Sequence, residues 1–159
     1  MDKQKELETL QSRISHHLGR VHHLLVRIIN KDLTDKGLQI KIEQFPVLFT
    51  AYFGDNLSQQ DIAKKLFKDK AGIQRTVRTL EAEGCVRIEA DPDDKRKNII
   101  QITDKGTALC QDIMEKLAKY DNEIMNLLEP GEAEIMVNVL IRLRTHMEQL
   151  IDYPTNHQD

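Results

Sequence analysis

Between Gly84 and Thr103 the apolar period of this chain changes from the three-to-four spacing of a helix to the two-residue alternation of a strand, and then changes back. Val86, Ile88 and Ala90 alternate with Arg87 and Glu89, and Ile100 and Ile102 flank Gln101 in the same way. The polar run Asp91-Pro92-Asp93-Asp94-Lys95-Arg96-Lys97-Asn98 separates them, with a proline placed to start a turn. One hairpin with a charged tip therefore interrupts a chain whose other periodic segments are helical. That limits the fold to a mainly α domain with a small β-hairpin.

The first helix is expected over about residues 7–31. There Leu7, Ile14, Val21 and Ile28 recur every seven residues, with Leu10, Leu18, Leu24 and Leu25 between them. The segment Asp32 to Gln39, which contains Gly37, ends it. A second helix is expected over about residues 41–53, which tolerates Pro46 only in its first turn. Ser58 then offers an N-cap hydroxyl, with Asp61 three residues on, and Ile62, Ala63 and Leu66 form an apolar face. Asp69 can cap the next helix, which runs to about Glu83 and stops at Gly84, a suitable left-handed position. Two short helices so close together form a helix-turn-helix candidate.

Thr103 can cap a fifth helix through about Leu128, which Glu129-Pro130-Gly131 breaks. A last helix, over about residues 132–151, places Met136, Leu140, Leu143, Met147 and Leu150 at alternating steps of four and three. The terminal helices present more apolar stripe than one short core can cover. Leu7, Leu10, Ile14 and the five residues of the last helix are therefore expected to form a dimer interface, with an intramolecular bundle as the other possibility. The chain is expected to be one compact unit in three parts: an N-terminal dimerisation helix (1–40), a helix-turn-helix and hairpin region (41–106) and C-terminal dimerisation helices (107–159).

At 159 residues, with 31 % charged and 40 % apolar residues, the chain has enough for one domain. It has neither an apolar run long enough for a membrane span nor an apolar leader at Met1 to Glu8, so a cytoplasmic protein is expected. The two cysteines, Cys85 and Cys110, cannot build a disulfide framework or a zinc site. Four Phe, three Tyr and no Trp are too few for a base-stacking platform. The net charge of −3 conceals a contrast. From Ser58 to Leu80 six bases stand against two acids, a net of +4, which leaves −7 for the remainder. A local basic island of this kind suits a polyanion, although a solvated helix face gives the same count.

On a helical wheel Ile73, Val77 and Leu80 share one face, and Ala71, Arg75, Arg78 and Ala82 the other. A recognition helix needs that division, because the buried stripe fixes its angle while outward residues approach base edges. Ala71, Gly72, Gln74 and Arg75 are the candidate base contacts: the small residues allow close approach, Gln pairs with adenine, and Arg pairs with guanine. Ser58, Gln59, Gln60, Lys68, Lys70 and Arg78 are candidate phosphate contacts, with Lys64 and Lys65 beside them. Asp94, Lys95, Arg96 and Lys97 form the wing tip, from which Arg96 could enter a minor groove.

Several of these segments together have a specific spacing. They are Leu57-Ser58-Gln59-Gln60-Asp61-Ile62-Ala63, Asp69-Lys70 leading to Gln74-Arg75, Leu80-Glu81 with Gly84 and Val86, Asp91-Pro92 with Asp94-Lys95-Arg96, and Ile100 with Ile102-Thr103 and Gly106. In that combination the chain resembles the MarR family of bacterial winged-helix repressors, nearly unbroken from Phe45 to Leu109. The resemblance implies a homodimer joined by the first and last helices, with recognition helices in successive major grooves of operator DNA and wing arginines in the minor grooves. It puts Gln74 and Arg75 at base-contacting positions and Asp94 and Arg96 at the wing aspartate and arginine. Asp94 would then hold the wing arginines in place. Ala71 and Gly72 depart from the family's frequent Ser and Thr, and Cys85 from a common aliphatic residue.

The resemblance further implies a small phenolic or aromatic-acid effector bound between the dimer helices and the DNA-binding lobe. No cofactor, metal or membrane partner is expected. The first helix lacks the cysteine of peroxide-sensing relatives, so Cys85 and Cys110 are expected to be small buried residues. His16, His17, His22 and His23 have no separation of three or four and so make no intrahelical metal pair. Plain helix surface, a pocket or interface lining, and a site converging across a dimer all remain open for them. No Gly-rich phosphate loop, H-E-x-x-H or nucleophile elbow is present, which argues against an enzyme. The competing function is a winged-helix protein-interaction module without specific DNA binding.

Overall fold

The structure is a computed structural model that describes residues 3–92, 94–95 and 97–150. In chain order it contains α1 (Lys3–Gln11), α2 (Ile14–Asp35), a 3₁₀ turn (Ile42–Gln44), α3 (Phe45–Phe53), β1 (Leu57–Ser58), α4 (Gln59–Leu66), α5 (Lys70–Ala82), β2 (Val86–Ala90), β3 (Asn98–Ile102), α6 (Asp104–Met125) and α7 (Glu132–Leu150). The mainly α fold with a small β wing is as expected from the change of period. The chain divides into two compact units, Met1–Thr107 and Ala108–Asp159.

The expected single N-terminal helix is two. Arg13 is extended (φ −81°, ψ 138°) between α1 and α2. Just before it the Ser12 hydroxyl donates to Thr9 O (2.8 Å), a local bond that competes with helical continuation. The seven-residue repeat from Leu7 to Ile14 therefore crosses a break and is not one stripe. α2 also runs past Lys31 to Asp35, and ends where Gly37 takes φ 75°. In α3, Pro46 occupies the first turn, where its missing N–H costs nothing.

The expected two-stranded hairpin is a three-stranded antiparallel sheet in the order β1-β3-β2. Leu57 and Ser58 pair with Ile100 and Ile99, a contribution too short to show as a pattern in the sequence. On the other side Val86 pairs with Ile102 and Ala90 with Asn98. This central position of β3 buries Ile99 as well as Ile100, so its alternation is less regular than the sequence suggests.

The core of the first unit gathers Ile29 and Leu33 of α2, Ile40, four residues of α3 including Phe45 and Leu48, Ile62 and Ala63 of α4, Ile73, Val77 and Leu80 of α5, and Val86, Ile99 and Ile100 of the sheet. Gly106 is fixed by close approach. A Cβ there would overlap the carbonyl oxygen of Cys85, which accepts from the Thr103 N–H (3.1 Å). Thr103 caps α6 as expected, its hydroxyl oxygen accepting from Gly106 N (3.1 Å) while its proton goes to Gly84 O (2.7 Å).

α4 ends in a Schellman motif, with Lys68 N–H donating to Ala63 O (3.0 Å) and Phe67 N–H to Lys64 O (3.2 Å). Phe67 is left-handed as a result (φ 54°, ψ 46°), a conformation that costs a residue with a Cβ about 1–2 kcal/mol. α5 closes with Gly84 in the same region (φ 70°), where glycine avoids that cost.

In the second unit α6 ends at Met125, short of the expected Leu128, and Gly131 (φ 89°) lies in the turn before α7. α7 contains no buried residue. Its expected last residue, Ile151, lies outside the described residues.

Candidate nucleic-acid interface

The first residues of α4 are held by a reciprocal cap. Ser58 Oγ accepts from Asp61 N (3.2 Å), while Asp61 Oδ2 accepts from Ser58 N (3.0 Å) and from the Ser58 hydroxyl (2.6 Å). The Ser58 hydroxyl and backbone bonds hold the Asp61 carboxyl below the usual carboxylate range, with help from Lys64 and Lys97. The Ser58 proton is therefore committed to Asp61, and donation to a phosphate would redirect it. Gln59 is half-buried and Gln60 exposed in the same turn.

α5 is oriented by three fully buried residues, Ile73, Val77 and Leu80. Its N-terminus is capped by Asp69, whose Oδ1 accepts from Gly72 N (2.7 Å). A Cβ at Gly72 would sit 2.9 Å from Asp69 Oδ2, so the cap and the glycine fit one another. Ala71, Gln74, Arg75 and Arg78 are exposed and Gly72 is half-exposed. The exposed Lys68 and Lys70 flank Asp69 at the entry to the helix. An open groove of about 570 Å³ runs beside α5, lined by residues that include Glu43, Gln44, Phe67, Lys68, Arg75 and Thr79.

The wing turn is closed by Asp91 N–H to Lys97 O (2.9 Å) and Lys97 N–H to Asp94 O (2.8 Å). Asp94 Oδ2 lies 3.7 Å from Lys97 Nζ, and Lys95 and Lys97 are exposed. Arg96 lies outside the described residues, and so does any bond between it and Asp94. β1 joins the wing to the helix-turn-helix. Ser58 pairs with Ile99, and Lys97, two residues earlier in that strand's approach, is near enough to Asp61 to favour its ionised form. The sequence offered no local signal for this juxtaposition, which comes from long-range strand pairing.

The candidate dimer residues are largely uncovered. Leu7 and Leu10 lie on α1, and Ile14, 70 % exposed, starts α2. On α7 Met136, Leu140, Met147 and Leu150 are exposed and Leu143 is half-buried. Of the histidines, His16 is half-buried and meets the edge of His17, while His17, His22 and His23 are exposed. Among the described residues no group of three or more His, Cys, Asp or Glu could hold a metal ion. Cys85 and Cys110 are both fully buried, and burial pushes the Cys85 thiol up despite the opposing charge of Lys105. Among the described residues no helix is long and apolar enough to cross a membrane.

Residues 37–97 match the MarR family, a span from the end of α2 to the wing. The chain is 28 % identical over 132 residues to MhqR, an HTH-type transcriptional regulator of Bacillus subtilis, covering 83 % of this chain and 90 % of MhqR. Its fold is similar to that of MepR from Staphylococcus aureus in complex with DNA, with TM-score 0.72, 21 % identity, and coverage of 85 % of this chain and 98 % of MepR. It is also similar to BpsR of Bordetella bronchiseptica, whose DNA binding is regulated by 6-hydroxynicotinic acid, with TM-score 0.67, 23 % identity, and coverage of 84 % and 94 %. By its capped helix-turn-helix, its three-stranded wing and these likenesses, the chain belongs to the MarR family of winged helix-turn-helix transcriptional regulators.

Proposed function

We propose that this chain is a sequence-specific, double-stranded-DNA-binding transcriptional regulator, a ligand-responsive repressor that acts in the cytoplasm as a homodimer on a pseudo-palindromic operator. The observation that carries this reading is the division of α5. Its apolar stripe is fully buried while Gln74, Arg75 and Arg78 face water beside a lysine-rich turn. Arg75 and Gln74 would read base edges in the major groove, with Ala71 and Gly72 allowing close approach. Gln59, Gln60, Lys68, Lys70 and Arg78 would hold phosphates, and Ser58 would keep the N-terminus of α4 in shape for that contact. Lys95, Arg96 and Lys97 would follow the neighbouring minor groove, with Asp94 ordering the tip.

Two-fold symmetry would set half-sites about 10 bp apart. The exposed apolar residues of α1, α2 and α7 support a dimer, since a lone chain rarely leaves so much apolar surface in water. BpsR supports a small aromatic acid as effector. Such a ligand would act by its differential affinity for two dimer shapes, one with the recognition helices spaced for DNA and one without.

The test is operator binding by the intact protein and by Arg75→Ala and Arg96→Ala. A repressor of this kind loses operator affinity with either change. Binding unaltered by both would overturn the reading in favour of a protein-interaction module.

A further inference from the structure

The Schellman motif that closes α4 requires a left-handed residue, and the chain fills that position with Phe67. Glycine is the usual occupant because it has no Cβ to clash, and the same chain places Gly37 and Gly84 at positive φ after α2 and α5. A bulky residue in this region is an outlier, and such strain persists where something else favours it. Core burial does not, because Phe67 is 58 % exposed. Its neighbours in sequence carry more bases than acids. Exposed Lys64 and Lys65 precede it, exposed Lys68 and Lys70 follow it with Asp69 between them, and Phe67 lines the same open groove as Lys68, Arg75, Asp69 and Glu43.

We propose that Phe67 is a DNA-contacting residue whose ring lies against the deoxyribose of the backbone strand that Lys68 and Lys70 neutralise. The assignment rests on the DNA-binding reading of α4 and α5. Lysines hold phosphate oxygens but leave the apolar face of the sugar in water. A ring between them removes that face and its own exposed surface from solvent together. The contact carries no sequence information, so it adds affinity equally to operator and unrelated DNA.

The experiment is titration of the dimer with a labelled promoter duplex and a scrambled duplex at several salt concentrations, for wild type, Phe67→Gly, Phe67→Asn and Phe67→Tyr. Glycine and asparagine both accept the left-handed backbone, so the turn is kept without the ring. Each is expected to lose about tenfold in affinity on both duplexes, with the slope of log K against log salt unchanged because no phosphate contact is removed. Phe67→Tyr retains wild-type binding. As a control, Lys68→Ala, which removes one phosphate contact from each protomer of the dimer, lowers the magnitude of that slope by about 1.8.

Wild-type affinity in both Phe67→Gly and Phe67→Asn overturns the assignment and leaves the DNA-binding reading standing. Loss on the promoter duplex alone overturns the sugar contact in favour of a base contact. Failure of the wild-type protein to bind either duplex overturns the DNA-binding reading and this assignment with it.

Discussion

α5 and α7 are both amphipathic helices bearing arginines, yet they meet water differently. α5 hides Ile73, Val77 and Leu80 completely, whereas Met136, Leu140, Met147 and Leu150 of α7 remain 38 to 65 % exposed. The stripe of α5 is satisfied by its own chain, which leaves its polar face to meet an external partner. The stripe of α7 is not satisfied, so it is the apolar face that needs a partner. The two helices thus point to two kinds of association, with a polyanion through α5 and with an apolar surface through α7.

The largest expected effect tests that division from the α7 side. Leu140→Glu with Met147→Glu would place charge in the proposed dimer interface. Sedimentation should show a monomer, and operator affinity should fall by about 100-fold or more as the second half-site contact is lost. A dimer that survives both changes would place the interface elsewhere. Next in size is Arg75→Ala, expected to cost about 1–3 kcal/mol of operator binding. As the residue is exposed, its melting temperature should stay near wild type. A large loss of stability would mean that Arg75 belongs to the fold and not to the contact face.

Gly106→Ala should destabilise the first unit by about 1–3 kcal/mol, because the added methyl meets the backbone carbonyl of Cys85, which cannot rotate away. Ser58→Ala should cost about 1 kcal/mol by removing the α4 cap. That loss should depend on pH. The Asp61 carboxyl titrates below its ordinary range when folded, so its contribution is complete above the unfolded pKa of about 3.9 and disappears as pH falls through the lower folded value. The gap in denaturant midpoint between wild type and Ser58→Ala should therefore narrow towards acid pH, where the hydroxyl bond to the carboxylate is lost, and not close, because the Ser58 oxygen still accepts from the Asp61 N–H. Smallest of all, Gly19→Ala in α2, where nothing lies within 4 Å of an added Cβ, should stabilise by up to about 1 kcal/mol.

The parts of the molecule legible in the sequence are those fixed by local chemistry. Ser58 with Asp61, Asp69, Gly84 and Thr103 mark helix ends because their side chains or conformational freedom act within a few residues. The stripe of α5 was legible for the same reason. What the sequence concealed depends on distant partners or on bonds that outweigh periodicity. β1 exists because Leu57 and Ser58 meet Ile100 and Ile99 more than forty residues on. The break at Arg13 lies inside an apolar repeat that looks continuous. Phe67 gives no sign of a left-handed backbone, since that conformation is imposed by how α4 ends and α5 begins. The closeness of Lys97 to Asp61 follows from β1 and was hidden with it.

The most direct test of a DNA-binding dimer is titration of the purified protein against the promoter duplex upstream of its own coding sequence, with a scrambled duplex as control and salt as a variable. Tight binding that prefers the promoter, with two protomers per site and half-sites about 10 bp apart, is the predicted result. Weak binding, equal on both duplexes and abolished by moderate salt, would contradict it, because only unspecific phosphate attraction would then remain.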